Sequence, residues 1–77
     1  MRYRQVGDNF NVSVSRAEVE DFRQSWPCSG LPDKAICFQF SANGDLVEVW
    51  PGNIDGPEVL ALSQDALEYA IIRRGER

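Results

Sequence analysis

Two cysteines, Cys28 and Cys37, and two close acid pairs, Glu20-Asp21 and Asp65 with Glu68, are the residues of this 77-residue chain that could do chemistry. The cysteines could close a loop as a disulfide, adding about 2–3 kcal/mol through loop entropy. They could also act as a redox pair or supply half of a tetrahedral zinc site, with carboxylates or a second subunit completing it. A reducing compartment argues against the disulfide, and two ordinary buried or half-buried thiols are the expectation. The acid pairs have the composition of a general acid and base. Nothing apolar in their neighbourhood would raise a carboxyl pKa, so they read as solvated helix faces. The chain has no histidine, which removes the commonest general base and metal ligand, and with it any Ser-His-Asp or Cys-His arrangement. No phosphate loop, dinucleotide glycine fingerprint or Cys-x-x-Cys pair is present. The expectation is a non-enzymatic chain with no cofactor.

The elements that would position these groups are marked most sharply from Ile36 to Trp50. Asn43-Gly44 predicts a type I′ turn with Ala42 opposite Asp45, Phe40 facing Val47 and Phe38 facing Val49. One face of the hairpin then carries Ile36, Phe38, Phe40, Val47 and Val49, and the other carries Cys37, Gln39, Leu46, Glu48 and Trp50. Residues 2–6 and 10–14 read as extended, separated by the turn residues Gly7-Asp8-Asn9, with Phe10, Val12 and Val14 alternating as in a half-buried strand.

Ser15 and Glu18 have capping-box spacing, and Val14 with Val19 has that of a hydrophobic staple. Val19, Phe22 and Trp26 continue as an apolar stripe, which places Trp26 in the core, and Pro27 ends the helix. Residues 27–34 read as an ordered loop. After the turn segment 51–56, Asp55 and Glu58 repeat the capping spacing around Pro57. Val59, Leu60, Ala66, Leu67, Ala70 and Ile71 fit a long helix, with Arg73 and Arg74 suiting its C-terminal dipole and Gly75 able to stop it. Residues 58–62 also read as a short strand, with Ser63 capping a shorter helix. The order β-β-α-β-β-α predicts one small α+β domain over residues 1–77: an antiparallel sheet with two helices packed on one face.

The net charge of −4 is unevenly spread. Arg2, Arg4, Arg73, Arg74 and Arg77 sit at the ends, whereas residues 5–72 set Arg16, Arg23 and Lys34 against eleven acids. An acidic body repels phosphate and attracts a basic partner, so direct nucleic-acid binding is not expected, although the basic ends could converge as a small phosphate patch. No apolar run approaches the ~20 residues of a membrane span. The opening Met1-Arg-Tyr-Arg-Gln is basic without the apolar segment of a secretory signal, and cytoplasmic residence is the expectation.

The segments Trp26-Pro-Cys-Ser-Gly-Leu-Pro32 and Phe38-Gln-Phe-Ser-Ala-Asn-Gly-Asp-Leu-Val47, with Asp55-Gly56 and the Leu-Ser-Gln-Asp-Ala-Leu run, resemble short uncharacterised proteins of bacteriophages and prophages. The likeness covers the chain from about Val14 onward. It implies an accessory protein made in a bacterial cytoplasm, of the kind that often binds and blocks a host factor, anti-CRISPR and other anti-defence inhibitors included. It transfers no activity.

If both helices cover the Phe face, Leu46 and Trp50 are left as a contact patch, unless the N-terminal segment folds over them. The leading expectation is a small acidic protein that binds a host or phage protein, including a basic nucleic-acid-binding one. Leu46, Glu48 and Trp50, with Glu20, Asp21, Asp65 and Glu68, are its expected contacts. A homodimer joined through Leu46 and Trp50 is the first alternative. A thiol-dependent role for Cys28 and Cys37 is the second.

Overall fold

The computed structural model describes residues 1–25, 31–52 and 56–75. The expectations placed on Trp26, Pro27, Cys28, Asp55 and Arg77 lie outside these residues. Six elements follow in order: β1 (Arg2–Val6), β2 (Asn9–Val14), α1 (Arg16–Gln24), β3 (Ile36–Phe40), β4 (Leu46–Trp50) and α2 (Pro57–Gly75). The strands form one antiparallel sheet in the order β1-β2-β3-β4. The fold is α+β, with the helices packed on one side of the sheet.

One face of the two central strands supplies most of the core. Phe10, Val12 and Val14 of β2 pair with Phe40, Phe38 and Ile36 of β3, and all six are almost wholly buried. Full burial of side chains this size contributes roughly 1.5–3 kcal/mol each. Tyr3 and Val49 extend the same face toward the two edges and pack against the buried cluster.

Helix α1 begins where the sequence predicts. The Ser15 hydroxyl accepts from the Glu18 backbone N–H, and the Glu18 carboxylate accepts from the Ser15 N–H, each at 3.2 Å. Val14 and Val19 are both fully buried, as a hydrophobic staple requires. The helix delivers Val19 to the core, with Phe22 packed at its rim.

Residues 58–62 are helical, the first of the two readings. Helix α2 lays Val59, Leu62, Ser63, Ala66 and Ala70 on the sheet at the spacing of one helical face. Two alanines in that stripe let the backbone approach closely. Ser63 does not cap a helix; its hydroxyl donates to the Leu60 carbonyl at 2.7 Å, which lets a polar residue occupy a buried position. Leu60 and Ile71, expected to share the packed face, are both 58% exposed, because the buried stripe runs through Val59 and Ala70 beside them.

The hairpin turn differs from the two-residue type I′ turn. The Ser41 N–H donates to the Asp45 carbonyl at 2.8 Å and the Gly44 N–H to the Ser41 carbonyl at 2.9 Å, closing a three-residue loop, Ala42 to Gly44, with Gly44 at φ 89°. The Ser41 hydroxyl also accepts from the Asn43 and Asp45 N–H groups, supporting the wider loop from inside. The loop moves the register by one residue, so Phe40 pairs with Leu46 rather than Val47. A bulge of β4 at Val47, opposite the step from Gln39 to Phe40, absorbs the slip, and Phe38 still pairs with Val49 and Cys37 with Trp50. Without it every side chain of β4 would change face. Val47, expected in the core, is the displaced residue and is 56% exposed.

Candidate functional site

The second face of the sheet carries no helix among the described residues. Its side chains fall into cross-strand rows set by the register. One row runs Arg2, Ser13, Cys37, Trp50, and the next runs Arg4, Asn11, Gln39, Glu48. The central residues Asn11, Cys37 and Gln39 are half-buried by their neighbours, while Arg2, Arg4, Glu48 and Trp50 at the edges are exposed. Trp50 is 64% exposed, the largest value for any big apolar side chain described. It flanks a shallow depression of about 300 Å³ with Pro51, Cys37 and Ser13.

Strand β4 is an edge as well as part of this face. Its outer N–H and C=O groups have no neighbouring strand among the described residues. Leu46 at 37%, Val47 and Trp50 add exposed apolar surface along that edge. An unpaired, β-prone strand bearing a tryptophan has the chemistry to accept an extended segment, through backbone hydrogen bonds and one aromatic anchor.

Of the expected contacts, Glu48 and Trp50 share the open face of β4, whereas Leu46, expected beside them, is set opposite the core residue Phe40 by the slipped register. The acids of the helices do not join them. Glu20 pairs with Arg23 at 3.2 Å within α1, and Asp21 is exposed on the same helix. Asp65 and Glu68 are exposed on α2, on the other side of the sheet from Trp50. The basic ends do not converge either. Arg2 and Arg4 lie on the open face, whereas Arg74 sits 4.8 Å from the Phe10 ring centre and Arg73 lies over Tyr69. The placement of Arg2 and Arg4 was latent in the sequence: they alternate with Tyr3, which takes the core side opposite Val12.

The charged pairs away from β4 are structural. Arg16 donates two hydrogen bonds to Asp33, at 3.0 and 3.2 Å, and Arg23 approaches the same carboxylate at 3.9 Å. The hydrogen bond and charge of Arg16 hold the Asp33 carboxyl below its usual range, and Asp33 in turn raises Arg16. Glu18 accepts from the Met1 ammonium at 2.6 and 2.7 Å. Burial alone would raise its pKa; the bonds from the ammonium and from Ser15 outweigh that and lower it.

Cys37 is a free thiol, half-buried, with the Ser13 hydroxyl 3.9 Å from its sulfur. Cys28 lies outside the described residues. Among those residues no group of three Cys, Asp or Glu side chains could hold a metal ion, and no helix is long and apolar enough to cross a membrane. No protein-family model matches the chain, and no curated protein or solved structure matches it.

Proposed function

We propose that this chain is a non-enzymatic interaction protein that docks a protein partner along β4 and the adjoining open sheet face. The observation that carries the reading is the β4 edge, unpaired among the described residues, with Trp50, Leu46 and Val47 exposed on it. Strand addition would supply the affinity, and Trp50 the anchor. Glu48, two residues before Trp50, favours a basic group on the partner. The acids of α1 and α2 lie elsewhere and act only as a long-range field that draws a positively charged partner. A basic nucleic-acid-binding protein of a bacterial host or phage fits this chemistry, and the resemblance to short phage proteins supports a cytoplasmic setting.

The test is affinity capture from bacterial lysate with tagged wild-type, Trp50→Ala and Glu48→Lys chains, washed at low salt and at roughly 0.5 M salt, where charge pairs beyond ~4 Å are screened. A partner identified by mass spectrometry that is held by the wild type, lost from both variants and weakened by salt supports the reading. A partner retained equally by all three chains at both salt concentrations sinks it.

A further inference from the structure

The two edges of the sheet are chemically complementary at matching rows. On the open face, β1 presents Arg2 and Arg4, and β4 presents Trp50 and Glu48. Arg2 and Trp50 terminate one row and Arg4 and Glu48 terminate the next. None of Arg2, Arg4 and Glu48 has an ion-pair partner among the described residues. We propose that β1 of a second copy adds antiparallel to β4, so that Glu48 faces Arg4 and Trp50 faces Arg2 across the junction.

Two features of the ladder select this pairing. Strands alternate in direction, so in a four-strand sheet the last strand and the first strand of a following copy are antiparallel without rotation of either unit. In an antiparallel ladder each residue also directs its N–H and C=O to one side, and the side alternates from row to row. Crossing an even number of strands returns the same pattern, so Trp50 and Arg2 expose backbone groups of matching kind. The junction rows Trp50–Arg2, Val49–Tyr3 and Glu48–Arg4 therefore continue the hydrogen-bond alternation without a slip.

Charge selects against two of the symmetric alternatives. Two β4 strands related by a two-fold axis at Glu48 would set carboxylate against carboxylate, and two β1 strands centred on Tyr3 would set Arg2 against Arg4. Like charges directly opposite are destabilising in a sheet, whereas Glu–Arg and Trp–Arg neighbours are favourable. Edge charges ordinarily discourage strand addition; here the two edges carry opposite signs in register. Contact between unlike edges is heterologous, and it propagates into a filament or closes into a ring as the sheet twist directs.

This inference rests on β4 being a docking edge and names a second copy as its occupant. Sedimentation velocity over a concentration series tests it, using the wild type, Glu48→Arg, Arg4→Glu and the double exchange Glu48→Arg/Arg4→Glu. Wild type should form species beyond a dimer as concentration rises. Each single reversal should weaken association by about fivefold to tenfold, and the double exchange should restore it. A wild type that stays monomeric into the millimolar range overturns the proposal, as does association that neither reversal alters. A monomer that still captures another protein through Trp50 would overturn only the second copy as occupant and leave β4 as the docking edge.

Discussion

The Met1 ammonium and the Glu18 carboxylate form the shortest ion pair described, with nitrogen 2.6 and 2.7 Å from the two oxygens. Glu18 simultaneously completes the cap of α1 through Ser15. One carboxylate thus fastens the start of β1 to the start of α1. Its pKa is depressed in the folded protein, so its stabilisation is complete above the ordinary value of 4.5 and is lost as pH falls through the lower folded value. The urea midpoint should drop on acidification below about pH 4.5. Glu18→Gln should lower the midpoint at pH 7 and flatten that part of the profile. An unchanged acid limb in Glu18→Gln would remove Glu18 from the account.

The bulge at Val47 reverses the usual order of side-chain truncation costs. Ile36→Val deletes one methylene from a residue that is 1% exposed, and should cost about 0.5–1.5 kcal/mol. Val47→Ala deletes two methyls from a residue that is 56% exposed, and should fall within about 0.5 kcal/mol of wild type. With a two-residue turn Val47 would face Phe40 and its truncation would be the larger loss. Denaturant melts of the two variants decide between the registers.

Why the sequence led to one register and the molecule adopts another is visible at Ser41. Asn43-Gly44 is a strong local signal for a two-residue turn, but it competes with a side chain two positions earlier. The Ser41 hydroxyl binds the N–H groups of Asn43 and Asp45 and stabilises the wider loop. Alternation cannot reveal a bulge, because Leu46-Val47 is apolar at both positions and fits either pairing. Where chemistry was local and unopposed, as at Ser15–Glu18 and in the Phe10–Val14 strand, reading and structure agree. The candidate site was half legible. Alternation put Glu48 and Trp50 on one face, but which acids would join them depended on how the helices pack, and Arg2 and Arg4 acquire their neighbours only through strand order.

Gly44 holds the loop at φ 89°, a region where a Cβ is strained. An added methyl would lie 3.6 Å from Leu67 Cδ1, an ordinary contact, so backbone strain rather than a clash sets the cost. Gly44→Ala should destabilise by about 1–2 kcal/mol. Gly52 has open space around its Cβ position and no positive φ, and Gly52→Ala should be neutral or slightly stabilising. Equal melting temperatures for the two alanine variants would contradict the loop conformation.

Arg74 extends the packed stripe of α2 by one more turn beyond Ala70 and places its guanidinium 4.8 Å from the Phe10 ring centre. Two effects stabilise it there: the C-terminal helix dipole, which any cation satisfies, and the ring quadrupole, which favours a planar ion lying flat on the face. Arg74→Ala should cost about 0.5–1 kcal/mol. Arg74→Lys retains the charge near the dipole but not the planar guanidinium beside the ring, and should recover only part of that loss. The dipole contribution is screened by salt more readily than contact with a fully buried ring. The difference between Arg74→Lys and wild type should therefore persist at 1 M NaCl, an ionic strength where the screening length is about 3 Å. A lysine variant as stable as wild type at both ionic strengths would reduce the contact with Phe10 to a dipole effect.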